Sequence, residues 1–199
     1  MTLEEMRALL EESLPRKRYE HSVRVYETAM QMAEVCNADK NKVAIAALLH
    51  DCGRQIPTKE SLSKALALGI PVDGTEAAQP ILLHAKLGVY YAIHQYGINA
   101  EDSEVLDAIR YHSTGNADMT ETAKIVFLAD MIEPKRDFEG VKEIRDAAFK
   151  DLDRAMFLSY KNTIDYLLED NALIHPDAIA GYNQLAARYK TEKEEKKRK

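Results

Sequence analysis

Apolar residues recur three and four positions apart along most of the chain, which is the spacing of an amphipathic α-helix. In residues 16–36, for example, Val23, Tyr26, Met30 and Ala33 would lie along one helix face. The same spacing predicts helices at residues 2–13, 16–36, 41–51, 59–68, 80–96, 102–112, 120–133, 141–149 and 151–169, and a last helix from Pro176 to about 189. No segment has a convincing strand pattern, so we predict an all-α fold.

Proline, glycine and short polar runs separate these helices. Residues 53–58, which include Pro57, are predicted to be a loop, and residues 70–78 are predicted to be irregular. The chain shows no internal repeat and no linker. We therefore expect one helical bundle over residues 1–189, followed by a charged, flexible tail at residues 190–199.

Composition agrees with this fold and limits the function. The 199 residues are 46% hydrophobic and 30% charged, which are ordinary values for a globular protein. The net charge is −6, and the tail holds six Lys/Arg and three Glu, which leaves 21 basic and 30 acidic groups in residues 1–189. A body this acidic argues against a general nucleic-acid surface. A negatively charged substrate would need metal ions and a few placed basic groups.

The cysteines, the apolar runs and the N-terminal residues bear on the cellular location of the protein. Cys36 and Cys52 form neither a disulfide framework nor a C-x-x-C motif, as expected in a reducing compartment. No apolar run approaches the roughly 20 residues of a membrane span, and the acidic N-terminus is unlike a signal peptide. We expect a cytoplasmic protein that binds neither membrane nor nucleic acid. If the chain forms an oligomer, a homodimer is the default expectation.

The strongest chemical signal is the pair His50-Asp51, which closes the apolar run 43–49. Two polar side chains at the end of such a segment are costly to bury unless something pairs with them. Other residues of the same kinds recur beside apolar segments: they are His21, His84, His112 and Asp130. Any one of these histidines alone would more often be a hydrogen-bonded core residue. Together they predict a metal cluster at the centre of the bundle, since imidazole and carboxylate are ligands of transition metals.

These residues stand in the order that is typical of a known superfamily. His21, His50-Asp51 and Asp130 resemble the HD-domain superfamily of metal-dependent phosphohydrolases, and His84 and His112 resemble its two-metal branch. Four longer blocks are similar to the YqeK family of symmetrical bis(5′-nucleosyl)-tetraphosphatases: His50-Asp51-Cys52-Gly53-Arg54, His84-Ala85-Lys86-Leu87-Gly88, His112-Ser113-Thr114-Gly115, and 128–136, which reads LADMIEPKR. The resemblance covers about residues 14–189. It implies an α-helical HD domain with a di-iron centre that cleaves diadenosine tetraphosphate to two ADP.

The resemblance also implies a ligand set. One metal would be held by His21, His50, Asp51 and Asp130, and a second by Asp51, His84 and His112, so that Asp51 joins both ions. The catalytic group would consist of His50, Asp51, His84 and His112, and a hydroxide activated by the two metals would attack phosphorus. Histidine-rich ligation favours iron, manganese, cobalt or nickel over magnesium. The resemblance points to iron among these.

Basic and hydroxyl side chains near the metal motifs are candidates for binding the polyphosphate. The basic candidates are Arg18, Arg54, Lys59 and Arg136, and Lys86 ranks lower because it would point away from His84. For each cation alone, a solvated surface charge is an equal alternative. Ser113, Thr114 and Gly115 could offer hydroxyl and N–H groups or form a plain turn. Residues 170–175 could line a base pocket, with His175 as a substrate contact or a loop anchor.

Several other functions remain open at this level. The nearest is another HD phosphohydrolase that acts on a mononucleotide or a deoxynucleoside triphosphate. The cyclic-dinucleotide branch is disfavoured because Gly181-Tyr182 is followed by Asn183 rather than proline. A di-iron oxygenase, a catalytically silent nucleotide sensor and a scaffold stabilised by metal are further alternatives. A sensor would be expected to have lost ligands, whereas all six are present here.

Overall fold

The prediction of an all-α fold is confirmed by the computed structural model, which describes the backbone of residues 1–198 and the side chains of residues 1–191. Two short 3-10 helices, Cys52–Gln55 and Pro80–Leu82, accompany eleven α-helices in this part of the chain. These are α1 (Leu3–Ser13), α2 (Arg16–Cys36), α3 (Lys40–Leu49), α4 (Thr58–Ala67), α5 (Gly74–Ala78), α6 (Leu83–His94), α7 (Ser103–Tyr111), α8 (Glu121–Ile132), α9 (Val141–Ala148), α10 (Leu152–Glu169) and α11 (Pro176–Arg198). No β-strand occurs among the described residues.

Local signals in the sequence account for many of the helix boundaries. Thr2 and Glu5 form a capping box at the start of α1, and the Asp39 carboxylate accepts backbone N–H groups at the start of α3. Asn37 ends α2 in the left-handed conformation, which asparagine tolerates better than most residues. Such caps satisfy backbone groups that a helix end leaves without partners.

Residues 70–78, which we expected to be irregular, contain α5. This five-residue helix is held by a second capping box. The Asp73 carboxylate accepts the Glu76 backbone N–H, and the Glu76 carboxylate accepts the Asp73 backbone N–H. It is too short to show a helical periodicity in the sequence. The helix predicted at residues 80–96 also begins with a 3-10 turn rather than an α-helical one.

The centre of the bundle is α3, which packs on α2, α7 and α8. From Val43 onward its residues are apolar on all sides, and Val43, Ala46, Ala47 and Leu49 are fully buried. A helix that is hydrophobic all round belongs in a core. This burial places the end of α3, and therefore His50-Asp51, deep inside the molecule.

Helix α11 continues to Arg198, beyond residue 189, where we expected it to end. The predicted flexibility of residues 190–199 falls mainly on side chains outside the described range, and it stays a prediction. Among the described residues, no helix combines the length and the apolar character needed to cross a membrane.

Candidate metal centre

The six predicted metal-ligand residues converge on one place from five segments of the bundle. His21 lies in α2 and Asp130 in α8, while His50 and His112 directly follow the ends of α3 and α7. His84 is the second residue of α6. The four histidines and Asp51 are buried, with His50 completely inaccessible and Asp51 2% exposed. A patch of this polarity inside a core requires partners for every polar atom.

Three of the histidines each make the same kind of hydrogen bond, and this bond orients the ring. In each, Nδ1 faces the backbone carbonyl three residues earlier: Ala47 for His50 (2.7 Å), Ile81 for His84 (2.5 Å) and Ile109 for His112 (2.8 Å). A carbonyl oxygen can only accept, so Nδ1 carries the hydrogen and Nε2 carries the lone pair. The lone pairs of His84 and His112 are therefore turned toward Asp51.

The Nε2 atoms surround the Asp51 carboxylate. Asp51 Oδ1 lies 3.4 Å from the Nε2 of His84 and 3.6 Å from that of His112. Asp51 Oδ2 lies 4.0 Å from the Nε2 of His50. Arg18 and Arg54 donate to the two Asp51 oxygens, and such charged donors favour the ionised form of a carboxyl group. Asp51 is therefore a carboxylate at neutral pH.

Two features of this geometry fit bound cations. The Nε2 of fully buried His50 has no hydrogen-bond partner in the described part of the chain. The Nε2 atoms of His84 and His112 lie 2.9 Å apart, although both are acceptors. Burial lowers the pKa of His50 to about 4 and that of His84 to about 3, so neither supplies a proton at neutral pH. Divalent transition metals, which imidazole lone pairs bind well, would satisfy these atoms.

The ligand atoms form two overlapping triplets, each with all its atoms within 4.8 Å of one another. The first triplet is His21, His50 and Asp130, and the second is His50, Asp51 and His112. His50 is common to both triplets, and the sharing of Asp51 between two ions stays a prediction. His84 approaches the second triplet through Asp51. The chain thus carries His/Asp clusters with the donor set of divalent metal sites.

A glycine brings the Asp51 turn against the helix that carries His84. A Cβ atom on Gly53 would lie 2.1 Å from the His84 carbonyl oxygen and 2.6 Å from the Gly88 nitrogen. No other residue type could make this backbone approach without moving one of the two segments. Gly53 is therefore one structural reason that Asp51 and His84 meet.

Glu133 is a residue of the centre that the sequence analysis missed. It is 2% exposed, and it lies 3.2 Å from Nδ1 of His21, whose Nε2 faces Asp130 at 3.0 Å. Arg24 donates to the same carboxylate over 2.8 Å. Burial would raise the pKa of Glu133, but Arg24 and the neighbouring N–H donors lower it to about 2. Glu133 thus orients His21, as second carboxylates commonly do for metal-binding histidines.

Three of the four predicted phosphate-binding cations lie at the centre. Arg18 donates to Asp51 Oδ2 over 3.3 Å, and Arg54 donates to Asp51 Oδ1 over 3.2 Å. Arg136 donates to the Asp130 carboxylate and to its backbone oxygen. Each guanidinium has five N–H donors, so each retains donors beyond those used on a carboxylate. Lys59 is different: its side chain is 83% exposed and its ion-pair partner is Glu60.

In the polar turn after His112, the backbone of Gly115 has a structural role. The Gly115 N–H donates to the Tyr111 carbonyl over 2.8 Å, and its φ of +67° and close contact with Tyr160 exclude a side chain. Thr114 is buried and donates to the Gly115 carbonyl, while Ser113 is half buried. Of the predicted turn donors, the Gly115 N–H is already used within the turn.

A second cluster of histidine and carboxylates lies around α5. We call Asp73, Glu76, Lys86, Arg110 and His175 the α5 clamp. Glu76 is 1% exposed and forms ion pairs with Lys86 and with Arg110. His175 Nε2 lies 3.0 Å from Asp73 Oδ2, and its Nδ1 accepts the Asp177 N–H. Both ring nitrogens of His175 are thus engaged, which is the arrangement of a loop anchor.

Two cavities are lined by residues that directly follow predicted ligands in the sequence, and they share Thr163 and Tyr166 of α10. The Thr114 cavity, of about 220 Å³, is lined by these two residues and by Gln79, Leu82, Ser113, Thr114, Phe127, Tyr160, Ile164, Leu167, Leu173, His175 and Ala178. The Arg136 cavity, of about 710 Å³, is lined by the same two and by Met131, Arg136, Phe138, Glu139, Gly140, Asn162, Asp165 and Glu169. Lys59 lines neither cavity.

Comparisons with known proteins agree with this geometry. The HD domain family model matches residues 18–135. The chain is 41% identical over 184 residues to the symmetrical bis(5′-nucleosyl)-tetraphosphatase of Halalkalibacterium halodurans, covering 89% of this chain and 93% of that protein. It is 38% identical over 187 residues to the Bacillus subtilis protein of the same name, covering 94% and 99%. A predicted HD superfamily hydrolase involved in NAD metabolism from Clostridium acetobutylicum has a similar crystal structure, with a TM-score of 0.88, 34% identity, and coverage of 94% and 98%.

Proposed function

The chain belongs to the HD domain family, and we propose that it hydrolyses diadenosine tetraphosphate symmetrically to two ADP. The observation that carries this proposal is the convergence of buried histidine lone pairs on Asp51, with Arg18 and Arg54 on the same carboxylate. A centre that combines ligands for cations with donors for phosphate suits a polyphosphate substrate. The activity named for the relatives from H. halodurans and B. subtilis supplies the substrate.

We propose that the centre holds two transition-metal ions, with iron the first choice and manganese, cobalt or nickel as alternatives. His21, His50, Asp51 and Asp130 would hold one ion, and Asp51, His84 and His112 the other. When bound, such a pair supplies an acidified water and positive charge for the phosphoryl oxygens. Backbone carbonyls accept from Nδ1 of His50, His84 and His112, which keeps the Nε2 lone pairs of these histidines directed inward. The Glu133 carboxylate has the same role at Nδ1 of His21.

The remaining roles fall to side chains at the edge of the centre. Arg18, Arg54 and Arg136 bind the phosphates with the N–H donors that their carboxylate contacts leave over. Ser113 and Thr114 add hydroxyl groups where the Thr114 cavity begins. Leu173 lines that cavity and offers an apolar surface to one adenine base. His175 supports the wall of this cavity through Asp73, and we assign no phosphate-binding role to Lys59.

Product analysis with metal quantification tests the function. Purified protein supplied with iron or manganese should convert diadenosine tetraphosphate to ADP alone, because the chain is cut between the two middle phosphates. Appearance of ATP and AMP would contradict the symmetrical assignment. Faster hydrolysis of a mononucleotide or a deoxynucleoside triphosphate would favour another phosphohydrolase, and an oxygen-dependent reaction would favour an oxygenase. Nucleotide binding without bound metal or turnover would favour a sensor. The homodimer and the cytoplasmic location stay predictions.

A further inference from the structure

We propose that the Arg136 cavity is a second nucleoside subsite, which binds the other nucleoside of a dinucleoside polyphosphate while the first occupies the Thr114 cavity. This inference rests on the proposed function and extends it, because it assigns a place to each end of the substrate. The shared wall at Thr163 and Tyr166 makes the two cavities neighbours on one face of α10. A substrate with two identical ends can then lie across the centre with its middle phosphates between them.

Each cavity is lined by a residue that directly follows a ligand of a different triplet. Ser113, which lines the Thr114 cavity, follows His112, and His112 belongs to the triplet with Asp51. Met131, which lines the Arg136 cavity, follows Asp130, and Asp130 belongs to the triplet with His21. A phosphate chain that contacts both triplets therefore has a cavity at each end.

Arg136 connects the centre to the second cavity. Its Nε donates to the Asp130 backbone oxygen over 2.8 Å and its guanidinium pairs with the Asp130 carboxylate, while its side chain also lines the cavity. The Arg136 side chain is 40% exposed, so it can present donors to a ligand that enters there. Planar guanidinium groups bind phosphate oxygens well. Arg136 thus marks the phosphate end of the subsite.

The rest of the cavity wall matches a nucleoside rather than further phosphates. Phe138 and Tyr166 supply aromatic surface, on which any base can stack. Asp165 and Glu169 carry carboxylates that form no ion pair among the described side chains, and Glu139 adds a third acid. Carboxylates accept hydrogen bonds from ribose hydroxyls and from the adenine amino group, and they repel phosphate. The charge distribution therefore orients the ligand with its phosphate toward Arg136 and its sugar and base toward the acids.

The size of the cavity is also suitable. Small-molecule sites have volumes of roughly 300–1,000 Å³, and the Arg136 cavity has about 710 Å³. Gly140 at its rim has a φ of +91°, and a side chain there would press on Asn162, whose Nδ2 donates to the Glu139 carbonyl. This hydrogen bond fixes the loop between α8 and α9 against α10. The cavity is therefore shaped by ordered contacts on both sides.

Two substrates separate this proposal from the function on which it rests. Diadenosine tetraphosphate carries two nucleosides, whereas adenosine 5′-tetraphosphate carries one on the same phosphate chain and would be cut to ADP and pyrophosphate. We expect the single nucleoside to occupy the Thr114 cavity, because its free terminal phosphate is repelled by the acids of the Arg136 cavity. The measured quantity is the ratio of kcat/KM for the dinucleoside substrate to kcat/KM for the mononucleoside substrate.

Phe138→Ala should lower this ratio about tenfold, which is within the range for loss of one base-stacking side chain. Asp165→Asn should lower it about threefold, since one charged acceptor for a ribose or adenine donor is weakened. Asp165 is exposed and forms no ion pair with the side chains of residues 1–191, so this variant keeps the test valid if Phe138→Ala unfolds. Leu168→Ala is the matched control: Leu168 is 60% exposed on α10, lines neither cavity, and should leave the ratio unchanged.

Equal losses for the two substrates, or no loss for either, would overturn the second subsite while leaving the tetraphosphatase function intact. A lower ratio in the Leu168→Ala control would also overturn it. If the unaltered protein releases no ADP from diadenosine tetraphosphate, the proposed function itself fails. The two failures are therefore distinguishable in one set of assays.

Discussion

The metal centre and the α5 clamp are built from the same residue types. They differ in whether the protein itself supplies partners for the buried polar groups. Both bring histidine and carboxylate ligand atoms within 4.8 Å of one another. In the clamp, Glu76 is matched by Lys86 and Arg110, and His175 uses both ring nitrogens within the protein. In the centre, His50 Nε2 has no described partner, and two Nε2 lone pairs face each other. The clamp is complete without an added ion, whereas the centre is not.

This comparison shows how a structural cluster differs from a ligand-binding one. Buried charges are tolerated when they are paired and hydrogen-bonded, and the clamp satisfies that condition with its own cations. The centre also has cations, but among the described residues Arg18, Arg54 and Arg136 donate to carboxylate or backbone oxygens and not to the histidine rings. The inward Nε2 lone pairs of the histidines are therefore left for a bound cation. Three predictions test this difference.

The largest effect is expected from Asp51→Asn. The amide keeps the shape of the side chain but removes the charge beside both ligand groups, so bound metal and hydrolysis should be lost together. The loss of several kcal/mol of transition-state stabilisation corresponds to a fall in kcat of more than about 1,000-fold. Metal content and kcat measured on the same preparation check this expectation.

Asp73→Asn is the matched change in the α5 clamp. It alters the same atoms in a cluster that has its own cations, so metal content should not change. If the clamp variant loses metal, or if Asp51→Asn retains both metal and activity, the distinction between the two clusters is wrong.

Glu76→Gln should have its effect on stability rather than on metal binding. Removing the charge leaves Lys86 and Arg110 without a buried partner, and breaking a buried ion pair costs about 3–5 kcal/mol. Lys86 and Arg110 are 15% and 19% exposed, so we expect the lower end, about 3 kcal/mol. Urea unfolding of metal-free protein measures this change. If metal content fell while the free energy of unfolding stayed unchanged, the clamp would instead have a role in metal binding.

The smallest of the three effects is expected from Glu133→Gln. Glu133 positions His21 without touching the reacting atoms, and such outer partners contribute about 10–100-fold to metal affinity. The half-saturating metal concentration should rise by this factor, with the unfolding free energy of the metal-free protein measured beside it.

Glu104→Gln provides the control for Glu133→Gln. Glu104 is a half-buried carboxylate paired with Lys42 and Thr122, outside both clusters. Its replacement should leave metal affinity unchanged. An equal shift in the two variants would mean that Glu133 acts through general stability rather than through His21.

Five of the six ligand residues could be found from the sequence because they follow apolar segments, whereas His21, between Glu20 and Ser22, depends more on the order of the HD motifs. His50-Asp51 follows seven apolar residues, and His112 and Asp130 occupy similar places. Their mutual distances could not be found in this way. The presence of His50 in both triplets depends on ring orientation, which the carbonyls of Ala47 and Ile109 set through the fold.

Glu133 and the α5 clamp escaped the sequence analysis for different reasons. Glu133 lies between Ile132 and Pro134 at the end of a predicted helix, where an exposed carboxylate is the ordinary expectation, and only its contact with His21 across 112 positions reveals its burial. The clamp joins residues as far apart as Asp73 and His175. Helix α5 has only five residues, too few for a periodic pattern.

The sequence by itself determined the helical class, most helix boundaries and the identity of the six ligand-type residues. These are encoded locally, in apolar spacing, capping groups and residue type. Only the tertiary structure decided which polar residues are satisfied by the protein and which still require a cation. That distinction depends on which donors and acceptors meet across distant segments in a low-dielectric core, where every unpaired polar atom is costly.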